Sequence, residues 1–197
     1  VCKGKQGHIA YPEKAVNPVE ELINFLGKLK ALKLDAGSKY FDPSSLNIST
    51  VDTNNEALNV IPEKSYASFN IRFNDKHSCS SLIRKINMLL AEFNKESSSS
   101  VEIKYKCSGE SFVTEPGQLS DLLIKSIKET TNIDCKFSTG GGTSDARFIR
   151  EHCPVVEFGL VGETMHQVNE NTSVDDIILL KDIYKKFLKN YNKKDKK

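Results

Sequence analysis

The sequence predicts an α/β chain in two parts: a ferredoxin-like βαββαβ unit over residues 1–109 and a helix–strand alternation over residues 110–197. Three observations predict it. Apolar residues recur with strand and helix periods in the order strand, helix, strand, strand, helix, strand up to Cys107. The turn residues Ser108-Gly109-Glu110-Ser111 then break that rhythm. Beyond them, helical and strand-like stretches alternate around the glycine run Gly140-Gly141-Gly142.

Residues 1–11 mix strand-like side chains with Gly4 and Gly7 and set His8 just before Ile9-Ala10-Tyr11-Pro12. A helix follows, with Asn17 as N-cap, Pro18 in the first helical position and Glu20 three residues after the cap. Val19, Leu22, Ile23, Leu26 and Leu29 recur along it at helical spacing. Residues 46–51 read as a strand and 56–62 as a turn. Over 66–74 the pattern alternates, Ala67, Phe69, Ile71 and Phe73 on a core face and Ser68, Asn70, Arg72 and Asn74 on a wet one. A second amphipathic helix carries Leu82, Ile83, Ile86, Leu90 and Phe93 and runs into Ser97-Ser98-Ser99-Ser100, and residues 101–107 read as the fourth strand.

In the second part a helix over 119–131 turns Leu122, Leu123 and Ile127 inward. It leads to a short strand near 135–138, the glycine loop, a helix over about 144–151, a strand over 154–160, a loop holding His166, and a long helix from Ser173. Two strands are few for an α/β sheet, so this half is expected to lack its partner strands. The opening at Val1, already strand-like and without methionine, suggests a fragment.

Composition is that of an ordinary globular chain: 197 residues, 38% hydrophobic and 27% charged. Lys and Arg number 28 against 26 Asp and Glu, and the excess includes the terminal run Lys193-Lys194-Asp195-Lys196-Lys197. Without a basic stripe and interleaved aromatics, that run is a solvated end, so no nucleic-acid partner is expected. No stretch is long and apolar enough for a membrane span, and the N-terminus shows no signal peptide. The five cysteines form no CxxC pair and are odd in number, which argues against a disulfide framework or zinc ribbon and for a reducing cytoplasm.

The stretch 137–148 is the strongest local candidate for a site, because consecutive glycines let backbone N–H groups approach a ligand closely. Thr143 stands where a P-loop needs Lys, and Asp145 where a dinucleotide fingerprint needs glycine or alanine. Gly142-Thr143-Ser144-Asp145-Ala146 approaches a G-x-S-x-G nucleophile elbow but lacks its last glycine. A tight strand-to-helix turn capped by Thr143 or Ser144 is the plain alternative. His166 follows a strand-like stretch, where α/β sheets collect ligands, yet no other His, Cys or carboxylate stands at a spacing that completes a zinc site around it. His77 and His152 lie in polar surroundings and read as surface residues, and spacing alone assigns nothing to His8 or Arg72.

Taken together, Gln6-Gly7-His8-Ile9-Ala10-Tyr11-Pro12, Asn59-Val60-Ile61-Pro62, Phe69-Asn70-Ile71-Arg72-Phe73, residues 139–148, Val156-Glu157-Phe158-Gly159 and Met165-His166-Gln167-Val168-Asn169-Glu170 resemble, in order, the bacterial succinyl-diaminopimelate desuccinylases of the M20 metallopeptidase family. The resemblance implies a ferredoxin-like dimerisation lid followed by the C-terminal part of a zinc-aminopeptidase-like catalytic domain. It implies hydrolysis of N-succinyl-LL-2,6-diaminopimelate to succinate and LL-diaminopimelate by a cytoplasmic homodimer with two zinc ions per active site, cobalt being able to substitute. An acetylornithine deacetylase-like hydrolase or a non-catalytic dimerisation module are the alternatives.

By the same resemblance, His8 matches a lid histidine that crosses to the partner's site and stabilises the oxyanion, with Tyr11 beside it. Asn59 and Arg72 match lid positions that hold substrate carboxylates, Arg72 arriving with His8 from the partner's lid, Gly142 and Thr143 match a substrate-contacting loop, and His166 the last zinc ligand. The family's other ligands and its general base, in a His-x-Asp motif, a bridging Asp, a Glu and a Glu-Glu pair, have no counterpart here. The chain alone is therefore expected to be inactive and to hold zinc weakly. Leu58 stands where some relatives carry a polar residue before Asn59.

Overall fold

The computed structural model describes residues 1–140 and 144–194. The chain divides into two compact units, Val1–Phe112 and Val113–Lys197. Among the described residues no helix is long and apolar enough to cross a membrane.

In the first unit, β1 (Cys2–Lys3), β3 (Ser45–Asp52), β5 (Lys64–Arg72) and β6 (Ser100–Val101) form an antiparallel sheet in the order β3-β5-β1-β6. With α1 (Pro18–Lys30) and α2 (Cys79–Glu96) this is the ferredoxin-like order of elements. Leu22, Phe25, Leu26 and Leu29 of α1 meet Ile86 and Phe93 of α2 over Cys2, Leu46 and Val101 of the sheet. Ala67, Phe69 and Ile71 pack against that core while Ser68, Asn70 and Arg72 stay exposed, as the alternation requires. Helix α1 begins as its sequence dictates, with the Asn17 side chain accepting from the Val19 N–H and Pro18 in the first turn. The Ser65 hydroxyl, fully buried, donates to the Pro18 carbonyl at 2.7 Å and ties that helix start to β5.

Three expectations for this unit need correction. Residues 56–62 are not only turn: β4 (Val60–Ile61) pairs with β2 (Gly7–His8) as a two-stranded ribbon. The fourth strand stops at Val101: Val1 and Glu102 exchange two 2.8 Å main-chain bonds, and, among the described residues, 103–107 stand in no ladder. Two of the five cysteines, Cys79 and Cys107, are joined in a disulfide with Cα atoms 6.1 Å apart. An even count and a CxxC spacing were the wrong criteria, since 28 residues of chain bring these two together by folding.

A further correction concerns His77, which is 13% exposed at its side chain rather than on the surface. Its Nε2 lies 3.3 Å from Asp35 Oδ2 and 3.2 Å from the Leu34 carbonyl, both acceptors, so Nε2 carries the proton. Asp35 also accepts from the Gly37 N–H at 2.7 Å, from the Ser44 N–H at 3.2 Å and from Asn74 Nδ2 at 2.6 Å. Burial alone would raise its pKa, but the bonds from Ser44, Gly37 and Asn74 outweigh that and hold the carboxyl well below the usual carboxylate range. This network fastens the loop between α1 and β3 to the end of β5.

The second unit is a helix pair with irregular chain packed on it. Leu123 and Ile127 of α3 (Gln118–Thr131) meet Ile183 of α5 (Val174–Lys194), and Cys135, Val156, Phe158 and Phe187 pack around them. Asn190 Nδ2 donates to Ser126 Oγ at 3.1 Å, and Lys186 pairs with Glu129 at 3.0 Å across the helices. The strands expected near 135–138 and over 154–160 are not in a ladder among the described residues. Their apolar side chains reach the helices, but a strand also needs a hydrogen-bonding neighbour, and none is present there. The helix expected over 144–151 is only α4 (Ala146–Ile149). Ser144 Oγ accepts from the Ala146 N–H at 2.9 Å and opens it.

Because the Asp35 carboxyl has a folded-state pKa below its ordinary 3.8, its contribution to stability is whole above that value and is lost as pH falls further. Asp35→Asn should destabilise the chain by about 1–3 kcal/mol at pH 7. In urea titrations the gap between parent and variant should narrow as pH drops below about 4.

Candidate functional site

His8 stands on β2 opposite Val60 of β4, and the Ile9 N–H donates to the Asn59 carbonyl at 3.1 Å. The ribbon therefore brings His8, Tyr11 and Asn59 to one place. Gly4 makes this turn of the chain possible, since a Cβ there would lie 2.2 Å from the Val16 carbonyl oxygen. His8 is exposed, and its Nδ1 accepts from the Ala10 N–H at 3.1 Å. In the neutral ring this leaves the proton on Nε2, a donor. The Tyr11 ring meets the imidazole edge-on with centroids 5.7 Å apart, and Lys14 Nζ sits 4.7 Å from the Tyr11 centroid.

Asn59 is exposed beside Leu58, which is 95% exposed. The loop before them is held by its own side chains: Asp52 Oδ1 accepts from the Asn54 N–H at 2.7 Å, and Asn55 Nδ2 donates to the carbonyls of Ala57 and Val60. Asn54 takes a φ of 52°, a conformation asparagine tolerates.

Arg72 is not part of this group. It ends β5, paired with Ser45, whereas His8 lies beyond the Lys64 end of the same run. A nine-residue strand spans ~26 Å between its terminal Cα atoms, several times the reach of an arginine side chain.

In the second unit His166 is exposed on a compact turn. The Gln167 N–H donates to the Thr164 carbonyl at 2.9 Å, Thr164 Oγ1 donates to the Asn171 carbonyl at 2.8 Å, and the His166 N–H donates to Glu170 Oε2 at 3.1 Å. His166 itself has a φ of 61°, a left-handed conformation that histidine, like asparagine and aspartate, adopts more readily than most residues with a side chain. Among the described residues, the one group of three side chains able to share a metal is Cys79, Cys107 and Glu110, far in sequence from His166. The described residues thus supply one histidine toward a zinc site and do not form that site by themselves. Gly142 and Thr143 lie outside the described residues. His152 is exposed.

The disulfide and the Asp35 network escaped sequence reading. Only the Asp35-x-Gly37 turn gave a local hint, and its partners lie 9 and 39 residues away.

Residues 1–98 match the peptidase dimerisation domain of the M20 type. The chain is 51% identical over 188 residues to succinyl-diaminopimelate desuccinylase of Roseobacter denitrificans and 48% identical over 191 residues to that of Ehrlichia canis. Those alignments cover 95% and 97% of this chain and 49% of each relative, so the chain spans about half the length of the curated relatives it matches. Its fold is similar to that of a tripeptidase from Staphylococcus aureus, with a TM-score of 0.71 at 16% identity over 94% of this chain and 48% of the other. It is equally similar to a di-peptidase from Saccharomyces cerevisiae, with a TM-score of 0.70 at 18% identity over 98% and 54%. A dimerisation-domain match over the first unit and half-identical relatives along nearly the whole chain lead to one conclusion: the chain belongs to the M20 peptidase family.

Proposed function

We propose that this chain is the lid, residues 1–109, and the C-terminal catalytic segment, residues 110–197, of a cytoplasmic succinyl-diaminopimelate desuccinylase. The observation that carries the reading is 51% identity over 95% of the chain to a relative of that name. The reaction is hydrolysis of the amide of N-succinyl-LL-2,6-diaminopimelate, releasing succinate and LL-diaminopimelate. Two zinc ions would supply the activated water in the intact enzyme, and His166 is the ligand that this chain contributes.

The roles of the other residues are those the resemblance implies, and their chemistry suits them. The Nε2–H of His8 donates to the oxygen that becomes anionic when the amide carbonyl is attacked, and such a donor acts where charge develops. Its Nδ1 bond to the Ala10 N–H fixes the tautomer, and the Tyr11 ring limits rotation of the imidazole. Asn59 and Arg72 bind substrate carboxylates, Arg72 through its two-pronged guanidinium. Gly142 and Thr143 contact the substrate from the glycine loop.

The strand length between His8 and Arg72 favours a division of labour in a homodimer. One protomer's Arg72 acts at the site that receives His8, Tyr11 and Asn59 of the other. Closed two-fold symmetry makes two such composite sites.

Assayed against a panel of acylated amino acids, the full-length enzyme should turn over the succinylated diaminopimelate far faster than N-acetylornithine. The reverse order would assign it to the deacetylases. Within that enzyme, His8→Ala should lower kcat by about 10²–10³-fold while KM changes little. A loss carried by KM instead would make His8 a ground-state binding residue.

A further inference from the structure

Cys79 is the first residue of α2, and Cys107 lies in the stretch that leaves the sheet after β6. Among the described residues, 103–107 have no ladder partner, so strand pairing does not hold this stretch down. Side-chain contacts do. The disulfide joins Cys107 to Cys79, and the Glu110 carboxylate accepts from the Cys79 N–H with its two oxygens at 3.1 and 3.2 Å. Ile103 and Tyr105, between β6 and Cys107, pack against the core, and the Tyr105 hydroxyl donates to Asn87 of α2 at 2.7 Å.

Cys107 is exposed and Cys79 half-buried, so small thiols reach the bond from solvent. The remaining cysteines differ: Cys2 is fully buried, and Cys135 and Cys153 belong to the second unit. Glu110 stands close enough to both sulfurs to suggest a shared metal, but its oxygens are engaged with the helix start and the sulfurs are bonded to each other.

We propose that Cys79 and Cys107 form a reversible thiol–disulfide modification site, closed and opened by small disulfides and thiols of the glutathione class, whose closed state locks residues 102–110 onto the start of α2. In closing, the exposed Cys107 thiolate attacks one sulfur of the small disulfide and expels one thiolate, leaving a mixed disulfide. The Cys79 thiolate then attacks the Cys107 sulfur and expels the second. Two protein thiols are oxidised, one small disulfide is reduced to two thiols, and the two protons go to the departing thiolates. Opening is the reverse, with two small thiols as reductant.

The test uses the whole 197-residue chain equilibrated with reduced or oxidised glutathione. Thiols titrated after denaturation should number five in the reduced sample and three in the oxidised one, with peptide mapping joining residues 79 and 107. Amide hydrogen exchange over 103–110 should be about tenfold slower or more in the oxidised sample, and in Cys107→Ser it should stay at the reduced rate in either buffer. Five thiols persisting in oxidised glutathione, a link to another cysteine, or equal exchange in the two states would overturn the proposal. So would stoichiometric zinc binding by the reduced chain that shields both thiols from oxidation, which would assign the pair to a metal.

Discussion

The antiparallel run that starts as β1 against β5 and continues as β2 against β4 fixes where the candidate residues of the first unit can be. Gly4 and the Glu63 carbonyl carry the chain past the irregularity between the two ladders, at a point with no room for a Cβ. From there, side-chain alternation and strand rise dictate the rest. His8 and Asn59 meet across one end, and Arg72 emerges at the other. Moving either group along the strands by one residue would turn it to the opposite face, so register and chemistry are the same constraint.

The core beneath this sheet explains why that register is held. Phe25 and Phe93 meet edge-on at 5.3 Å between the two helices, and Ser65, with its side chain buried, binds the first carbonyl of α1. Helix α1 thus reports the position of β5 directly. The loop after α1 is fastened to the far end of β5 through Asp35, Asn74 and His77. In the second unit, by contrast, α3 and α5 make a firm pair while the segments that resemble strands have side-chain contacts and no ladder. Many apolar residues of that unit stay exposed, among them Phe137, Leu160, Ile177 and Leu188. A polypeptide spanning half the length of its relatives is consistent with both features.

Sequence was informative wherever the signal was local. The Asn17-Pro18 helix start, the alternation through Ala67, Phe69 and Ile71, and the two amphipathic helices could each be read from a dozen residues. Features made by distant residues could not. The β2–β4 ribbon is two residues per strand, too short to show a period. The Cys79–Cys107 bond joins positions 28 residues apart, and the Asp35 network draws on residues 9 and 39 positions away and on His77 beyond them. The proposed site residues stood between these cases. His8, Asn59, Arg72 and His166 were singled out by the blocks around them, but spacing along the chain gave no hint that His8 and Arg72 sit at opposite ends of one strand run.

That separation makes the composite site the central claim, and mixed dimers of the full-length enzyme test it most directly. A purified heterodimer with His8→Ala on one protomer and Arg72→Ala on the other has one composite site carrying both lesions and one carrying neither. It should regain about half of the parent dimer's activity, while each mutant homodimer stays impaired. A heterodimer as impaired as the two homodimers would mean that His8 and Arg72 serve the same protomer's site, and would contradict the account.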